Sequence, residues 1–438
     1  MKTTKLFLST VILSLIVSIS PASAQQSQSA KKWFAENTDS IVKLYLHFHK
    51  NPELSFQEKE TGKRYAKELE AMGAEVTSEV GGYGVVGIIK NGKGPVVMLR
   101  ADLDGLPITE QTGQSYASTK KVKNENGQLV GVMHACGHDV HMTSALATAK
   151  FLAENKGMWQ GTLMVIGQPA EERGSGAKAM LKDGLFTKWK KPDYAIALHV
   201  NSTMPSGMVG LRSGYAMANV DSVDITVFGR GGHGAYPHTT IDPIAQAAKL
   251  IIDLQTIVSR EVKPIEPAVV TVGSIHGGTK HNIIADSCHL QLTVRSYSDK
   301  VRAQILEAIK RKAKAQADSV GAKHPLVKVS EGTPSLSNDR EFAERATKLF
   351  KSAIGANRVI ETEPVMGGED FSQYGRAGVP SLMFFLGAVE KRRLERYREM
   401  KITPPSLHTA TFYPDIEKTL ETGVVTTATA ILDLMKKQ

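Results

Sequence analysis

The stretch MHACGHDVH, residues 133–141, places three histidines, one cysteine and one aspartate within nine positions. The whole chain of 438 residues has only 2 cysteines and 13 histidines. Thiolate, imidazole and carboxylate groups are the usual protein ligands of zinc and its first-row neighbours. The spacing Cys136-x-His138 allows one loop to supply two of them. The stretch therefore indicates a metal site, although a Cys-x-His pair by itself occurs as readily without a metal as with one.

Other polar residues stand next to apolar runs that are typical of buried strands. They are Asp102 and Asp104 after GPVVMLR, Glu171 and Glu172 after GTLMVIGQPA, His199 at the end of PDYAIALHV, and His408 in SLHT. Ligands of open α/β sheets bind beyond the carboxyl ends of the strands, so we expect these side chains to converge. Taken alone, a histidine at a strand end is more typical of a hydrogen-bonded core residue. A Glu-Glu pair is more typical of a solvated surface, and the two aspartates of RADLD could cap a loop. Their joint occurrence favours the metal site.

The adjacent carboxylates Glu171 and Glu172 point in different directions if their segment is extended or turning. One carboxylate can then bind a metal ion while the other faces a substrate. Two neighbouring carboxylates repel each other, and a cation beside them removes that repulsion.

The order of elements predicts an α/β protein with an insertion. Residues 25–213 and 335–438 alternate apolar strands with helices, which predicts a mostly parallel sheet flanked by helices. Residues 214–334 contain strands that alternate apolar and polar positions, such as VDITVFG and CHLQLTVR. Their order, β-α-β-β-α-β, predicts an inserted ferredoxin-like α+β unit. We predict two parts of one metal-binding domain with this unit between them.

Residues 1–24 have the pattern of a secretory signal peptide. Lys2 and Lys5 precede an apolar run at 6–19, and the small residues 22–24 end the segment. An uncleaved membrane anchor is the alternative, but the run is short for a bilayer span, which needs about 20 apolar residues. We predict cleavage after residue 24, which leaves 438 − 24 = 414 residues. The expected location is the periplasm, with no membrane span after cleavage.

The formal net charge of the whole chain is +10, and removing Lys2 and Lys5 leaves 10 − 2 = +8. No basic stretch interleaved with aromatic residues supports nucleic-acid binding. The charge favours a soluble basic protein suited to small anionic molecules. A chain of this length can bury a large core without a disulfide, so we expect a chemical role for Cys136 and a strand position for Cys288. A bridge between the two cysteines stays open at this point.

Six motifs occur in one order along the chain: RADLDGLPI, MHACGHDVH, GQPAEE, ALHV, GRGGHGAYPH and SLHT. Together they resemble the aminoacylase/carboxypeptidase G-like superfamily of dinuclear metallohydrolases, and more narrowly its hippurate hydrolase and auxin-conjugate hydrolase branch. The resemblance covers nearly the whole mature chain, and the combination is highly specific. It implies hydrolysis of the amide bond of N-acyl amino acids, with acetyl or aromatic acyl groups, by an enzyme holding two divalent ions of Zn, Mn, Co or Ni.

The resemblance also implies individual roles. The positions that match the metal ligands of the branch are Cys136, His138, Glu172, His199 and His408. Glu171 matches the general base, and Asp104 matches the aspartate that steadies the site. Other branches place a metal-binding histidine where Asp102 stands and bridge their two ions with an aspartate. The resemblance implies that Cys136 takes over the bridging role here.

In the inserted unit, the resemblance implies a lid that also dimerises. His233 matches a histidine that reaches the active site of a neighbouring subunit and polarises the scissile carbonyl, and Asn282 matches a residue that joins it. A homodimer is therefore expected, although an exposed loop would be the ordinary interpretation of His233. Arg295 is a candidate for the substrate carboxylate, and Gly368 is a candidate for close backbone contact with the substrate.

Three alternatives remain beside the amidohydrolase. A metallo-dipeptidase or carboxypeptidase would use the same residues. A non-catalytic descendant that binds metal or ligand usually loses a catalytic position, but Glu171, Asp104 and all five ligand candidates are present. An adhesion or structural module of the cell envelope would show repeats or low-complexity stretches, which the sequence lacks.

Overall fold

The computed structural model describes residues 21–330 and 332–437. The predicted signal peptide lies outside these ranges, apart from the backbone of 21–24 at the start of the first helix. Its cleavage therefore stays a prediction. Within the described ranges, no helix combines the length and the apolar character needed to cross a bilayer.

The chain before the predicted insertion forms the following elements: α1 (Pro21–Lys50), α2 (Lys59–Ala71), β1 (Glu75–Val80), β2 (Gly84–Asn91), β3 (Val96–Asp102), β4 (Lys121–Lys123), β5 (Leu129–Gly131), α3 (His138–Glu154), β6 (Gly161–Gln168), α4 (Gly176–Lys182), α5 (Leu185–Lys188), β7 (Tyr194–Pro205) and β8 (Val209–Leu211). The next elements are β9 (Gly214–Met217), β10 (Asn219–Phe228), β11 (Gly232–His233), α6 (Pro243–Thr256), β12 (Ala268–Gly277), β13 (Ile283–Ile284), β14 (Ser287–Ser296), α7 (Asp299–Asp318) and β15 (Leu326–Val329). The chain ends with β16 (Leu336–Asn338), α8 (Arg340–Ile354), β17 (Val359–Glu361), α9 (Ser372–Arg376), β18 (Ser381–Val389), α10 (Lys391–Glu399) and α11 (Ile416–Leu434).

An eight-stranded sheet has the order β1-β2-β6-β3-β7-β18-β8-β17. Its four central strands, β6, β3, β7 and β18, are parallel to one another, and antiparallel pairs occur toward the edges. Every residue of β3 and β18 is buried, because helices cover both faces. Helices α1, α3, α8 and α11 pack together on one face. The predicted mixed α/β class with a mostly parallel, helix-flanked sheet is confirmed.

A second sheet has four antiparallel strands in the order β12-β14-β10-β15. Alternate residues of β10 are buried, and Val223, Ile225 and Val227 pack with apolar residues of α6 and α7. The chain order β10-α6-β12-β14-α7-β15 is the predicted ferredoxin-like order. Cys288 lies in β14 as expected, and both cysteines are free. The domain boundaries at 213/214 and 334/335 stay predictions. The unit formed by β10 to β15 is called the lid below.

Arg100 is a charged residue inside the apolar strand β3, and its side chain has no exposed area. Its guanidinium donates to Asp102 at 2.7 Å, to Glu369 at 2.8 Å and to Asp370 at 3.1 Å, while Nε donates to Gln168 at 3.1 Å. Burial opposes the charge, but the three carboxylates raise the pKa of Arg100 well above its usual value. The guanidinium therefore ties β3 and β6 to the loop that precedes α9.

His49, near the end of α1, makes a second buried connection. Its Nδ1 lies 2.6 Å from a carboxylate oxygen of Asp139, and its Nε2 lies 3.2 Å from Glu110. Burial disfavours a charged imidazole, but the two hydrogen bonds outweigh it and raise the pKa of His49 to about 9. Because Asp139 is the second residue of α3, this contact holds the helix that follows the MHACGH stretch against α1.

Replacing Arg100 with Met should lower the free energy of unfolding by about 3–5 kcal/mol, because three buried carboxylates lose their partner. Urea unfolding of the metal-free proteins measures the difference. Arg64→Met is the control, since it removes a partly exposed ion pair with Glu68 that should contribute no more than about 1 kcal/mol. Equal losses in the two variants would contradict a central role for Arg100.

The raised pKa of His49 makes its contribution to stability depend on pH. An unfolded histidine titrates near 6.5, so the contribution is complete below that pH and is lost as the pH rises through about 9. We expect the difference in unfolding free energy between the wild type and His49→Gln to shrink by up to about 3 kcal/mol from pH 6 to pH 9.5. Urea titrations of chelator-treated protein test this. A constant difference over that range would refute it. His324→Gln, at an exposed ion pair with Asp318, serves as the control.

Candidate metal centre

The site lies where the carboxyl ends of the central strands meet. Cys136 and His138 flank Gly137, which precedes α3 with a φ of 80°. A Cβ atom at Gly137 would come within 2.4 Å of the Val200 side chain, so only glycine fits this approach. His199 lies in β7 beside Val200, which brings the ligand loop and the strand together.

Cys136, His199, His408 and Glu172 form one run of short separations. The Sγ atom of Cys136 lies 3.5 Å from Nε2 of His199 and 3.2 Å from Nε2 of His408. Nε2 of His408 lies 3.5 Å from a carboxylate oxygen of Glu172. Nδ1 of His199 donates to the Val200 carbonyl at 2.8 Å, which leaves Nε2 as a lone-pair donor facing the thiol.

His138 is fully buried at the centre of the cluster. Its Nδ1 donates to the backbone carbonyl of Asp104 at 2.8 Å. Its Nε2 lies 3.8 Å from an oxygen of Glu171 and 3.8 Å from Oε1 of Glu172. In the described part of the chain, Nε2 of His138 and Oε1 of Glu172 are buried without a hydrogen-bond partner. Such unpaired buried atoms are costly, so they point to a ligand between them.

Two overlapping triads contain all five predicted ligands, and the donor atoms of each triad lie within 4.8 Å of one another. The first triad is Cys136, His138 and His199, and the second is Cys136, Glu172 and His408. Sulfur, imidazole nitrogen and carboxylate oxygen suit Zn, Mn, Co and Ni. The residues therefore fit two divalent ions, and Cys136 belongs to both triads.

The electrostatics of the cluster also favour a cation. Burial and the carboxylate of Glu172 raise the pKa of the Cys136 thiol well above its usual value. Burial, Glu369 and Glu172 likewise raise the pKa of Glu171. Burial raises the pKa of Glu172 to about 7. These groups resist ionisation in the protein alone, and a bound divalent cation reverses that preference.

A strained turn presents the two glutamates. Ala170 has a φ of 49°, in the left-handed region that costs a non-glycine residue about 1–2 kcal/mol. Its N–H donates to the carboxyl group of Glu58 at 2.8 Å, and burial raises the pKa of that group to about 8. Asp104 accepts the next two N–H groups, from Glu171 at 3.2 Å and Glu172 at 3.1 Å. Two buried carboxyl groups therefore bind three successive N–H groups and fix the turn that carries Glu171 and Glu172.

A cleft of about 670 Å³ opens between the cluster and the lid. The predicted site residues on its wall are Cys136, Glu171, Glu172, His199, Arg295, Gly368 and His408. Gly368 passes directly under the lid, since a Cβ atom there would lie 2.2 Å from the Val220 side chain. His138 and Asp104 lie behind the wall, within the contacts described above.

His233 and Asn282 are adjacent to each other but stand outside this cleft. The N–H of Gly234 donates to the Asn282 carbonyl at 2.8 Å, and His233 pairs with Ile283 in a two-stranded ribbon. Both residues are exposed. Neither residue lines the cleft of its own chain.

Three residues that were assigned no ligand or catalytic role from the sequence support the cluster. His141 donates to Asp102 at 2.7 Å and accepts the Val200 N–H at 3.0 Å, so it links the ligand helix to β7. Arg100 was detectable as a charge within an apolar run. Glu58 carried no signal, because its role depends on a contact 112 residues away.

Comparisons with known proteins agree with this geometry. Residues 98–410 match the family model described as peptidase family M20/M25/M40. Thermostable carboxypeptidase 2 of Saccharolobus solfataricus is 38% identical over 362 residues, covering 82% of this chain and 88% of the relative. N-acetyl-L-cysteine deacetylase of Bacillus subtilis is 38% identical over 351 residues, covering 79% of this chain and 80% of the relative.

Among solved structures, a dinuclear metal-binding peptidase of the M20 family from Bacillus subtilis is 30% identical, with a TM-score of 0.75, over 91% of this chain and 98% of that chain. The resemblance inferred from the six motifs is thereby confirmed. With a family match over most of its length and donors arranged for two ions, the chain belongs to peptidase family M20/M25/M40.

Proposed function

We propose that the protein is a metal-dependent amidohydrolase that cleaves the amide bond of N-acyl amino acids carrying an acetyl or aromatic acyl group. One observation carries the proposal. Glu171 lines the cleft and shares a group of possible donors with His138 and Glu172, while Glu172 also belongs to the triad with Cys136 and His408. The site thus places a second carboxyl group directly beside a metal-binding one, an arrangement suited to metal-assisted amide hydrolysis with a general base. The deacetylase relative supports the N-acyl substrate class.

The two ions would be held by Cys136, His138, Glu172, His199 and His408. When bound, they would supply Lewis-acid polarisation of the carbonyl and lower the pKa of a water molecule. Glu171 is the general base, which accepts a proton from the attacking water and returns it to the leaving amine. Asp104 holds Glu171 and Glu172 in position, because it accepts hydrogen bonds from their backbone N–H groups.

Arg295 is suited to the substrate carboxylate. It lies on β14 and lines the cleft from the lid side. Burial lowers the pKa of Arg295, and the carboxylate of Asp221 opposes that shift. Asp221 already accepts hydrogen bonds from Nε and Nη2 of Arg302, at 2.7 and 2.6 Å. A guanidinium binds a carboxylate through two parallel hydrogen bonds, which would orient the amide toward Glu171.

We also propose a homodimer in which His233 completes the partner's active site. The exposure of His233 and its position outside its own cleft support this. The lid offers an edge strand, β12, whose free backbone groups can pair with a second copy. Exposed apolar residues such as Ile275 on that strand and Ile252 on α6 favour burial in such an interface. Export to the periplasm stays a prediction from residues 1–24.

A carboxypeptidase is the alternative, because the relative from Saccharolobus carries that name. A peptide with a free carboxyl end presents the same amide and the same carboxylate to Arg295. The relative rates of hydrolysis of dipeptides and N-acyl amino acids distinguish the two functions.

Glu171→Gln should abolish hydrolysis but keep the metal. We expect kcat to fall by about 10²–10⁴, the usual contribution of a general base, while metal content stays at the wild-type value because Glu172 is intact. Chelator-treated protein is reloaded with Zn, Mn, Co or Ni and assayed on N-acetyl amino acids, N-benzoyl amino acids and dipeptides.

Glu75→Gln, at an exposed ion pair with Lys90, is the matched control and should retain full activity. Faster cleavage of dipeptides than of N-acyl amino acids would select the peptidase alternative. Tight metal binding without any turnover would overturn the catalytic proposal.

The role of His233 can be tested with mixed dimers. Glu171→Gln and His233→Ala should each be inactive alone, because every site lacks one group. After subunits are exchanged in equal amounts, half of the dimers are mixed and each mixed dimer holds one complete site, so about a quarter of the wild-type activity should return. If activity does not return, His233 does not act across the interface.

A further inference from the structure

We propose that Arg173 forms a second carboxylate-binding subsite, so that the preferred substrates are N-acyl amino acids with a second carboxylate. Glu125 occupies this subsite when substrate is absent. The inference rests on the proposed function and deepens it by naming a substrate class.

Arg173 stands at the junction of two cavities. It follows Glu172 directly and, with it, lines the 670 Å³ cleft. The same two residues line a neighbouring pocket of about 220 Å³ beneath the hairpin formed by β4 and β5. A group held by Arg173 would therefore lie next to a metal ligand and still have room to extend away from it.

The present partner of Arg173 is readily displaced. Nη1 lies 2.5 Å from Oε1 of Glu125, at the turn of the β4–β5 hairpin, and the two side chains are 43% and 64% exposed. Exposed ion pairs of this kind add little net stability, because both charges are well hydrated when separate. The turn does not depend on the pair, since Asn124 accepts the N–H groups of Asn126 and Gln128.

Among the described residues that line the cleft, two are arginines and none is a lysine. Arg295 faces it from the lid and Arg173 from the side of the metal ligands. If Arg295 binds the α-carboxylate, a second guanidinium remains available near the scissile bond. Its planar fork matches a carboxylate better than a neutral group, so it selects for a second negative charge.

The second carboxylate can belong to the side chain of the amino acid or to the end of the acyl group. Both present the same ion to Arg173. Two substrate pairs distinguish these sources: N-acetylglutamate with N-acetylglutamine, and N-succinylalanine with N-butyrylalanine.

The test compares wild type, Arg173→Gln, Glu125→Gln and the control Arg311→Gln, which removes an exposed arginine of the lid paired with Glu261. For one of the two pairs, Arg173→Gln should lower the charged-to-neutral ratio of kcat/KM by at least about tenfold, mainly through KM, because a charge-assisted contact is lost. Glu125→Gln should raise that ratio, since it frees the guanidinium. Arg311→Gln should leave it unchanged.

Binding gives a readout that does not need turnover. Calorimetry on the metal-loaded variants, in a Glu171→Gln background, measures Kd for the same compounds. If wild type cleaves none of them but Arg173→Gln still weakens only the charged ligands, the proposed function fails and the subsite stands. If Arg173→Gln changes charged and neutral ligands equally in both assays, the subsite is refuted.

Discussion

The buried guanidinium of Arg100 is the interaction on which the site most depends. Asp102, Glu369 and Asp370 all lie in the interior, and a carboxylate there is stable only with a partner. Asp102 in turn accepts a hydrogen bond from His141, which holds the strand that carries His199. Thus one cation, placed inside an apolar strand, organises the acids behind the metal ligands without contacting a ligand itself.

The metal centre has the opposite electrostatic character. The thiol and both glutamates are buried among like charges, and each resists ionisation. The candidate ligands come from four separate segments: the start of α3 with the loop before it, the turn after β6, strand β7 and the segment before α11. Rigid supports, including the strained turn at Ala170, keep these repelling groups together. The free energy released on binding two ions would then stabilise an arrangement that the fold has already formed.

Much of this arrangement could be predicted because its signals are local. The central strands are apolar runs, and the ligand candidates have side chains that are rare in such positions. The supports could not be predicted, since they are contacts between distant positions: Arg100 and Asp370 are 270 residues apart, and nothing near Glu58 indicates that it will hold Ala170. The left-handed backbone conformation of Ala170 could not be predicted either, because alanine rarely adopts it.

The lid shows a different limit. The alternating strands and the helices between them predicted the order of its elements. The position of His233 relative to the cleft depends instead on how the lid is attached. A motif can identify which residue performs a role without locating it in space.

The β4–β5 hairpin carries Glu125, the residue that occupies the proposed subsite, but none of the candidate metal ligands. Its two strands pair with each other and belong to neither large sheet, and most of its residues are at least partly exposed. Changes at its turn would leave the buried acids and the ligand set untouched, because no ligand lies on it. Descendants of this chain could therefore acquire new substrates through a few surface replacements while keeping the same hydrolytic machinery. For the same reason, relatives with matching metal ligands can be expected to differ in what they cleave.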